Sequence, residues 1–136
     1  MTESRNELRI RLKKLRSLQS DETIKNKSKV IADRLFSLQK FQESKQIAFY
    51  SSFNNEVPTD SMIDYSISLD KDVFLPKINQ SKNTMSFYKI SSRDDLEKGA
   101  LNILEPSSNQ RSLLSEYTFK LIIVPGIAFG YSGNRL

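Results

Sequence analysis

The chain has 136 residues, of which 38% are apolar and 27% are charged, and this length suits one domain, residues 1–136, with a core of its own. It contains neither Cys nor His, which excludes disulfides, thiol nucleophiles, imidazole bases and the usual zinc ligands. No apolar stretch is long enough to span a bilayer, and the N-terminus lacks the apolar core of a signal peptide. We therefore expect a cytoplasmic protein with no membrane partner.

Two amphipathic helices are predicted at the N-terminus. Within residues 3–18, Leu8, Leu12 and Leu15 recur at spacings of four and three, and Ser20 is a predicted N-cap for the second helix. Much of the net charge of +5 lies on these helices. The charge indicates either solvated faces or a surface that attracts an anion such as ATP, a polyglutamate tail or nucleic acid.

Short apolar segments then predict strands at residues 46–50, 72–75, 85–87 and 119–124. Pro76 is predicted to end the second of these strands. Thr59 is predicted to cap a helix, residues 94–98 to form a short helix, and residues 105–106 to lie in a turn. Alternation of helices and strands favours an α/β fold with a largely parallel sheet. Ligands bind beyond the carboxyl ends of such strands, at residues 51–59, 76–84, or 125 onward.

Six motifs occur in order along the chain: RNELR at 5–9, YSSFNNEVPT at 50–59, LPK at 75–77, MSF at 85–87, EP at 105–106, and IVPGIAFGYSGNRL at 123–136. Together they resemble the 5-formyltetrahydrofolate cyclo-ligase family, whose members are also called methenyltetrahydrofolate synthetases. The resemblance covers essentially the whole chain. It implies a three-layer α/β/α, Rossmann-like fold of the NagB/RpiA/CoA-transferase type, truncated at its C-terminus.

An isolated RNELR segment is more often an exposed helix face than a binding site. The resemblance assigns ATP contacts to both ends of the chain, namely to Arg5, Asn6, Glu7, Leu8, Arg9, Gly133, Arg135 and Leu136. Two positions depart from the family pattern, because Arg5 stands where Lys is usual and Gly130 where Asp is common. A guanidinium still neutralises phosphate, although it prefers forked contacts to a point charge.

Glu56 is the candidate for recognition of a pterin. It lies in a loop that follows a predicted strand, and a carboxylate accepts two parallel hydrogen bonds from an aminopyrimidinone edge. The resemblance makes Glu56 a folate-binding residue and Ser51 a substrate contact, and Phe53 is a candidate to lie against the aromatic ring of the ligand. The alternative interpretation is a solvated carboxylate in an ordinary loop.

The activity implied by the resemblance is the ATP-dependent conversion of 5-formyltetrahydrofolate, possibly polyglutamylated, to 5,10-methenyltetrahydrofolate. ATP is the co-substrate and Mg²⁺ is expected with it, but no residue of this chain is assigned as a metal ligand. We expect a monomer or a weak homodimer.

The family pattern continues with G-x-G-x-G-Y-Y-D, whereas this chain ends at Leu136. We therefore expect weak ATP binding and little turnover from these 136 residues alone. One alternative is a catalytically inactive folate-binding or interaction protein. Another is a nucleic-acid-binding module, which is disfavoured because no aromatic residues are interleaved with the basic residues of the first helix.

Overall fold

A computed structural model describes residues 2–107 and 119–136. The helices are α1 (Arg5–Ser17), α2 (Asp21–Ser37), α3 (Gln39–Glu43) and α4 (Asp60–Ser68). The strands are β1 (Gln46–Ala48), β2 (Asp72–Asn79), β3 (Thr84–Ile90), β4 (Leu96–Lys98), β5 (Leu104–Pro106) and β6 (Leu121–Ile122). Single 3₁₀ turns lie at Arg93–Asp95 and Ala100–Asn102. No helix in these described ranges is both long enough and apolar enough to cross a membrane.

The central sheet has four strands in the order β3-β2-β1-β6. Strand β1 pairs in parallel with both β2 and β6, whereas β3 runs antiparallel to β2. Strands β4 and β5 form a separate antiparallel pair. The sheet is therefore largely parallel and combined with helices, which confirms the predicted α/β class.

Helices α1 and α2 begin at polar caps. In α1, Ser4 and Glu7 form a capping box, because the Glu7 amide donates to Ser4 Oγ at 3.2 Å and the Ser4 amide donates to the Glu7 carboxylate at 2.8 Å. Ser20 caps α2 as predicted, and its hydroxyl oxygen accepts from the Thr23 amide at 3.2 Å. These caps satisfy amide groups that would otherwise lack an acceptor in the first turn.

The core lies between the sheet and α2, α3 and α4. Its fully buried members include Phe41 from α3, Ile63 from α4, and Ile47, Val73 and Leu75 from the two central strands. Successive apolar residues in these strands are buried because both faces of a parallel sheet are covered. Helix α1 contributes no buried residue, so its side chains remain free to line surface cavities.

The prediction that Pro76 ends its strand was wrong. Strand β2 continues to Asn79, and Pro76 pairs with Phe87 of β3. The Phe74 carbonyl faces β1, where it accepts from the Phe49 amide at 2.9 Å. Pro76 lies two residues further on and faces the same side, where the β1 ladder has already ended. Its missing N–H therefore costs no ladder hydrogen bond.

The segments around β4 and β5 also differ from their predictions. Residues 94–98 contain the end of a 3₁₀ turn followed by β4, and residues 105–106 belong to β5 instead of a turn. The two strands pair with each other, so tertiary pairing overrides the weak local preferences. The strand expected at 119–124 is confined to Leu121–Ile122.

Candidate ligand-binding site

The loops after β1 and β6 meet at one edge of the sheet. Because these strands are parallel and adjacent, both carboxyl ends point the same way. The third loop predicted for this edge, residues 76–84, lies in the β2–β3 hairpin instead. It lines a separate hollow of about 590 Å³, so two of the three predicted loops build the site.

Hydrogen bonds close the loop of residues 50–59. The Tyr50 hydroxyl donates to the Val57 carbonyl at 2.6 Å, and the Thr59 hydroxyl donates to the Tyr50 carbonyl at 2.8 Å. The Thr59 amide donates to Ser52 Oγ at 3.3 Å. Thr59 is fully buried and occupies the N-cap position of α4, but its side chain makes no capping bond. The predicted cap instead holds the loop that carries Glu56.

The C-terminal segment folds back on itself after β6. The Gly130 amide donates to the Asn134 carbonyl at 2.8 Å, and Arg135 pairs with Phe129 in an isolated antiparallel bridge. Arg135 Nη1 also donates to the Pro125 carbonyl at 3.1 Å. Gly133 has a φ of +86°, a conformation that favours glycine in this tight turn. These contacts orient Arg135 against the sheet edge.

Helix α1 and the two loops enclose a space that we call the basic cavity, of about 810 Å³. Among the described residues, its charged side chains are one carboxylate, Glu56, and four cations: Lys13, Lys14, Arg16 and Arg135. Phe53, Pro125, Gly126 and Leu136 also line it. The excess of cations favours an anionic ligand, and the volume lies within the usual range for small-molecule sites.

A second cavity, of about 540 Å³, lies at the other end of α1 and is lined by Arg5, Leu8, Phe129, Gly130 and Arg135, among others. Arg5 and Arg16 are eleven residues apart, which corresponds to roughly 16 Å along a helix axis. Arg135 and Leu136 line both the second cavity and the basic cavity. The two spaces therefore adjoin, and α1 runs beside both.

Glu56 also lines an apolar cavity of about 380 Å³, together with Leu35, Tyr50, Met62 and Phe129. Burial raises the pKa of the Glu56 carboxyl, and a hydrogen bond from the backbone and the Arg16 charge oppose that rise. Burial, and secondly Glu56, raise the pKa of Tyr50 to about 12. The carboxylate thus stands at the boundary between a cationic and an apolar environment.

The structure brings together most of the residues predicted for the site, but not all of them. Arg5, Leu8, Arg135 and Leu136 line the second cavity, and Phe53 and Glu56 line the basic cavity. Glu7 is engaged in the α1 capping box. The remaining four, Asn6, Arg9, Ser51 and Gly133, do not line either cavity.

Three cationic residues of the basic cavity were not predicted as site residues: Lys13, Lys14 and Arg16. A signal for two of them exists in the sequence, because Arg5, Arg9, Lys13 and Arg16 recur at spacings of four, four and three. This spacing places one cationic stripe along the length of α1. The stripe alone does not identify a cavity, since the opposing loops come from distant parts of the chain.

The described residues do not fit a magnesium ion held by the protein. Over residues 2–107 and 119–136, no group of three or more Asp, Glu, His or Cys side chains could hold a metal ion. In the described part of the chain, the basic cavity offers one carboxylate side chain among four cations, whereas Mg²⁺ prefers carboxylates and other oxygen ligands.

The fold and the site define an α/β domain with adjoining cationic cavities at the carboxyl ends of parallel strands. The profile of the 5-formyltetrahydrofolate cyclo-ligase family matches residues 1–136. The chain therefore belongs to the 5-formyltetrahydrofolate cyclo-ligase family, which confirms the resemblance. The members of this family are enzymes of this type.

Individual relatives agree with this assignment. The chain is 28% identical to a probable 5-formyltetrahydrofolate cyclo-ligase of Caenorhabditis elegans, over 98% of this chain and 67% of that protein. It is 30% identical to the 5-formyltetrahydrofolate cyclo-ligase of Mus musculus, over 95% and 66% respectively. The NMR structure of Aquifex aeolicus 5,10-methenyltetrahydrofolate synthetase superposes with a TM-score of 0.84 at 30% identity, covering 96% of this chain and 64% of that one. The chain thus spans about two thirds of the length of these relatives.

Proposed function

We propose that this chain binds ATP and 5-formyltetrahydrofolate in adjoining cavities and acts in the ATP-dependent formation of 5,10-methenyltetrahydrofolate. The observation that carries the proposal is the position of Arg135, which lines both the cavity with Glu56 and the cavity with Arg5. Transfer of a phosphoryl group between two ligands requires that their reacting groups meet. A cation that lines both cavities lies where the two ligands would meet.

The pteridine is assigned to the basic cavity because Glu56 is the one acidic side chain that the described residues contribute to its lining. An aminopyrimidinone ring presents an amino group and a ring N–H side by side, and a carboxylate accepts from both. Glu56 must be ionised to do so. The adjoining apolar cavity offers non-polar surface for the body of a fused ring.

ATP is assigned to the second cavity, where Arg5 and Arg135 are both exposed. Guanidinium groups form forked hydrogen bonds with phosphate oxygens and neutralise their charge. Magnesium would arrive with the nucleotide as part of the substrate. Binding of ATP in this cavity requires no acid or base from the protein.

In the proposed reaction, the formyl oxygen on N5 takes the γ-phosphoryl group of ATP and ADP leaves. The N10 nitrogen then attacks the activated carbon, and loss of phosphate together with the N10 proton completes the methenyl bridge. Both the nucleophile and the electrophile belong to the substrates, so the protein contributes orientation and charge neutralisation. A chain without Cys or His is compatible with such chemistry.

The test is a calorimetric titration of the chain with 5-formyltetrahydrofolate and, separately, with MgATP. Glu56→Gln should weaken folate binding by about 10- to 100-fold, as expected for loss of a charge-assisted pair of hydrogen bonds. ATP binding should be unchanged. Glu22→Gln, on the exposed start of α2, is the matched control. Equal weakening of folate binding and ATP binding, or unchanged folate binding, would contradict the assignment.

The second candidate function is folate binding without turnover. The two cavities differ in how firmly their binding residues are held, and this difference favours the second candidate. A loop closed by hydrogen bonds holds Glu56 at the folate cavity, whereas Arg5 and Arg135 at the ATP cavity are exposed. ATP-dependent growth of the methenyltetrahydrofolate absorbance separates the two functions. Folate binding that depends on Glu56, with no such growth at saturating MgATP, would support the second candidate.

A further inference from the structure

Arg16 contains a buried donor that has no partner among residues 2–107 and 119–136. This residue lies in the last turn of α1, and its side chain is half-buried. Its Nε atom is inaccessible to solvent and donates to no acceptor in the described part of the chain. Buried polar atoms in folded proteins are almost always paired, and a guanidinium donor is costly to leave unpaired. The placement is therefore unexplained by the fold alone.

The position of Arg16 connects this donor to the candidate site. Arg16 lines the basic cavity with Glu56, and its charge acts on both Glu56 and Tyr50. No carboxylate of the described residues lies within salt-bridge distance of it. The guanidinium is thus close enough to influence Glu56 without being neutralised by it.

The ring that Glu56 is proposed to bind has a third polar group. In an aminopyrimidinone, the ring carbonyl oxygen lies directly beside the N–H that a carboxylate contacts. A carboxylate next to a cationic donor is complementary to that edge, since the carboxylate accepts from the two N–H groups and the donor serves the carbonyl oxygen.

We propose that Arg16 is a ligand-binding residue of the basic cavity, where its guanidinium group donates to the ring carbonyl oxygen of the pteridine held by Glu56. This inference rests on the proposed function. A second consequence is that the Arg16 charge helps to keep Glu56 ionised. Other charged or titratable groups that line a cavity with Glu56 are Lys13 and Lys14 of α1, Arg34 of α2, Tyr50 after β1, and Arg135.

The experiment compares two pteridines that differ at the atom in question. The first is 5-formyltetrahydrofolate, and the second is its analogue with an amino group in place of the ring carbonyl. This change also removes the adjacent ring N–H, so Glu56 contributes to the wild-type preference, and the role of Arg16 is measured by how far its variants change that preference. Wild type should bind the oxo compound at least tenfold more tightly. Arg16→Met should weaken the oxo compound by about 10- to 100-fold, the range for one hydrogen bond to a charged group. It should leave the amino compound within about threefold.

Two further variants separate charge from geometry. Arg16→Lys keeps the charge but removes the forked donors of the guanidinium, so it should reduce the preference for the oxo compound. Arg11→Met is the control, because Arg11 lies on the same helix but pairs with Glu3 on the exposed side. Circular dichroism of each variant establishes that α1 remains folded.

The pH dependence provides a readout that a purely structural role would not move. Because Glu56 must be ionised, folate binding falls as the pH drops through its pKa. Arg16→Met removes a charge that lowers this pKa, so the acid limb of the binding curve should move to higher pH. Arg16→Lys should leave that limb close to the wild-type position.

The outcomes distinguish this inference from the proposed function. Equal weakening of the oxo and amino compounds by Arg16→Met, or equal effects of Arg16→Met and Arg11→Met, would overturn the role of Arg16 alone. Wild type that binds neither pteridine would overturn both proposals. A reduced oxo preference in both Arg16 variants, with the shifted acid limb confined to Arg16→Met, would establish the contact.

Discussion

Thr59→Val tests whether the hydroxyl of this residue closes the loop that carries Glu56. Thr59 is fully buried, and Val has nearly the same shape, so the substitution removes the 2.8 Å hydrogen bond to the Tyr50 carbonyl with little change in packing. Leaving a buried acceptor without its donor costs about 1–3 kcal/mol. The Thr59 side chain makes no capping bond to α4, so the substitution does not also remove a helix cap.

Chemical denaturation monitored by circular dichroism measures this change as a loss of unfolding free energy. Thr59→Ser is the matched variant, because it keeps the hydroxyl and removes one buried methyl group, worth about 0.8 kcal/mol. A looser loop should also weaken 5-formyltetrahydrofolate binding while sparing ATP. The reasoning fails if Thr59→Val is as stable as wild type, or if Thr59→Ser is the more damaging substitution.

Two further predictions concern the walls of the site. A Cβ at Gly126 would lie 2.2 Å from the Phe129 ring, so Gly126→Ala should displace that exposed ring. Calorimetric titration should then show weaker folate binding, with a stability cost under about 1 kcal/mol. Gly130→Ala is the control, because its Cβ would lie 3.9 Å from the nearest atom, and it should change neither folate binding nor stability. The folded-state pKa of Tyr50 is raised to about 12, above its unfolded value of about 10, so its contribution to stability is complete below pH 10 and is lost as the pH rises toward 12. Tyr50→Phe should lower the unfolding free energy at pH 7 by removing the bond to Val57 and should make the alkaline decline shallower; a decline as steep as in wild type would contradict the assignment.

Local sequence signals located the helices better than the strands. Ser20 capped α2 as predicted, and the leucine spacing placed α1 to within two residues at its start and one at its end. Caps and helical periodicity depend on neighbouring residues, so they can be read from a short segment. The extension of β2 through Pro76 could not be read from a short segment, because it depends on where β1, a strand distant in the sequence, stops.

The sequence by itself determined the family, the α/β class, the absence of thiol and imidazole chemistry, and the importance of Glu56, Arg5 and Arg135 as candidates. Only the tertiary structure decided that Arg135 lines two adjoining cavities and that Arg16 shares one of them with Glu56, with a buried donor that no other described residue pairs. The physical reason is that a cavity is enclosed by segments far apart in sequence, here α1 and the loops after β1 and β6. Their meeting is fixed by parallel strand pairing, which leaves no local pattern in any one of them.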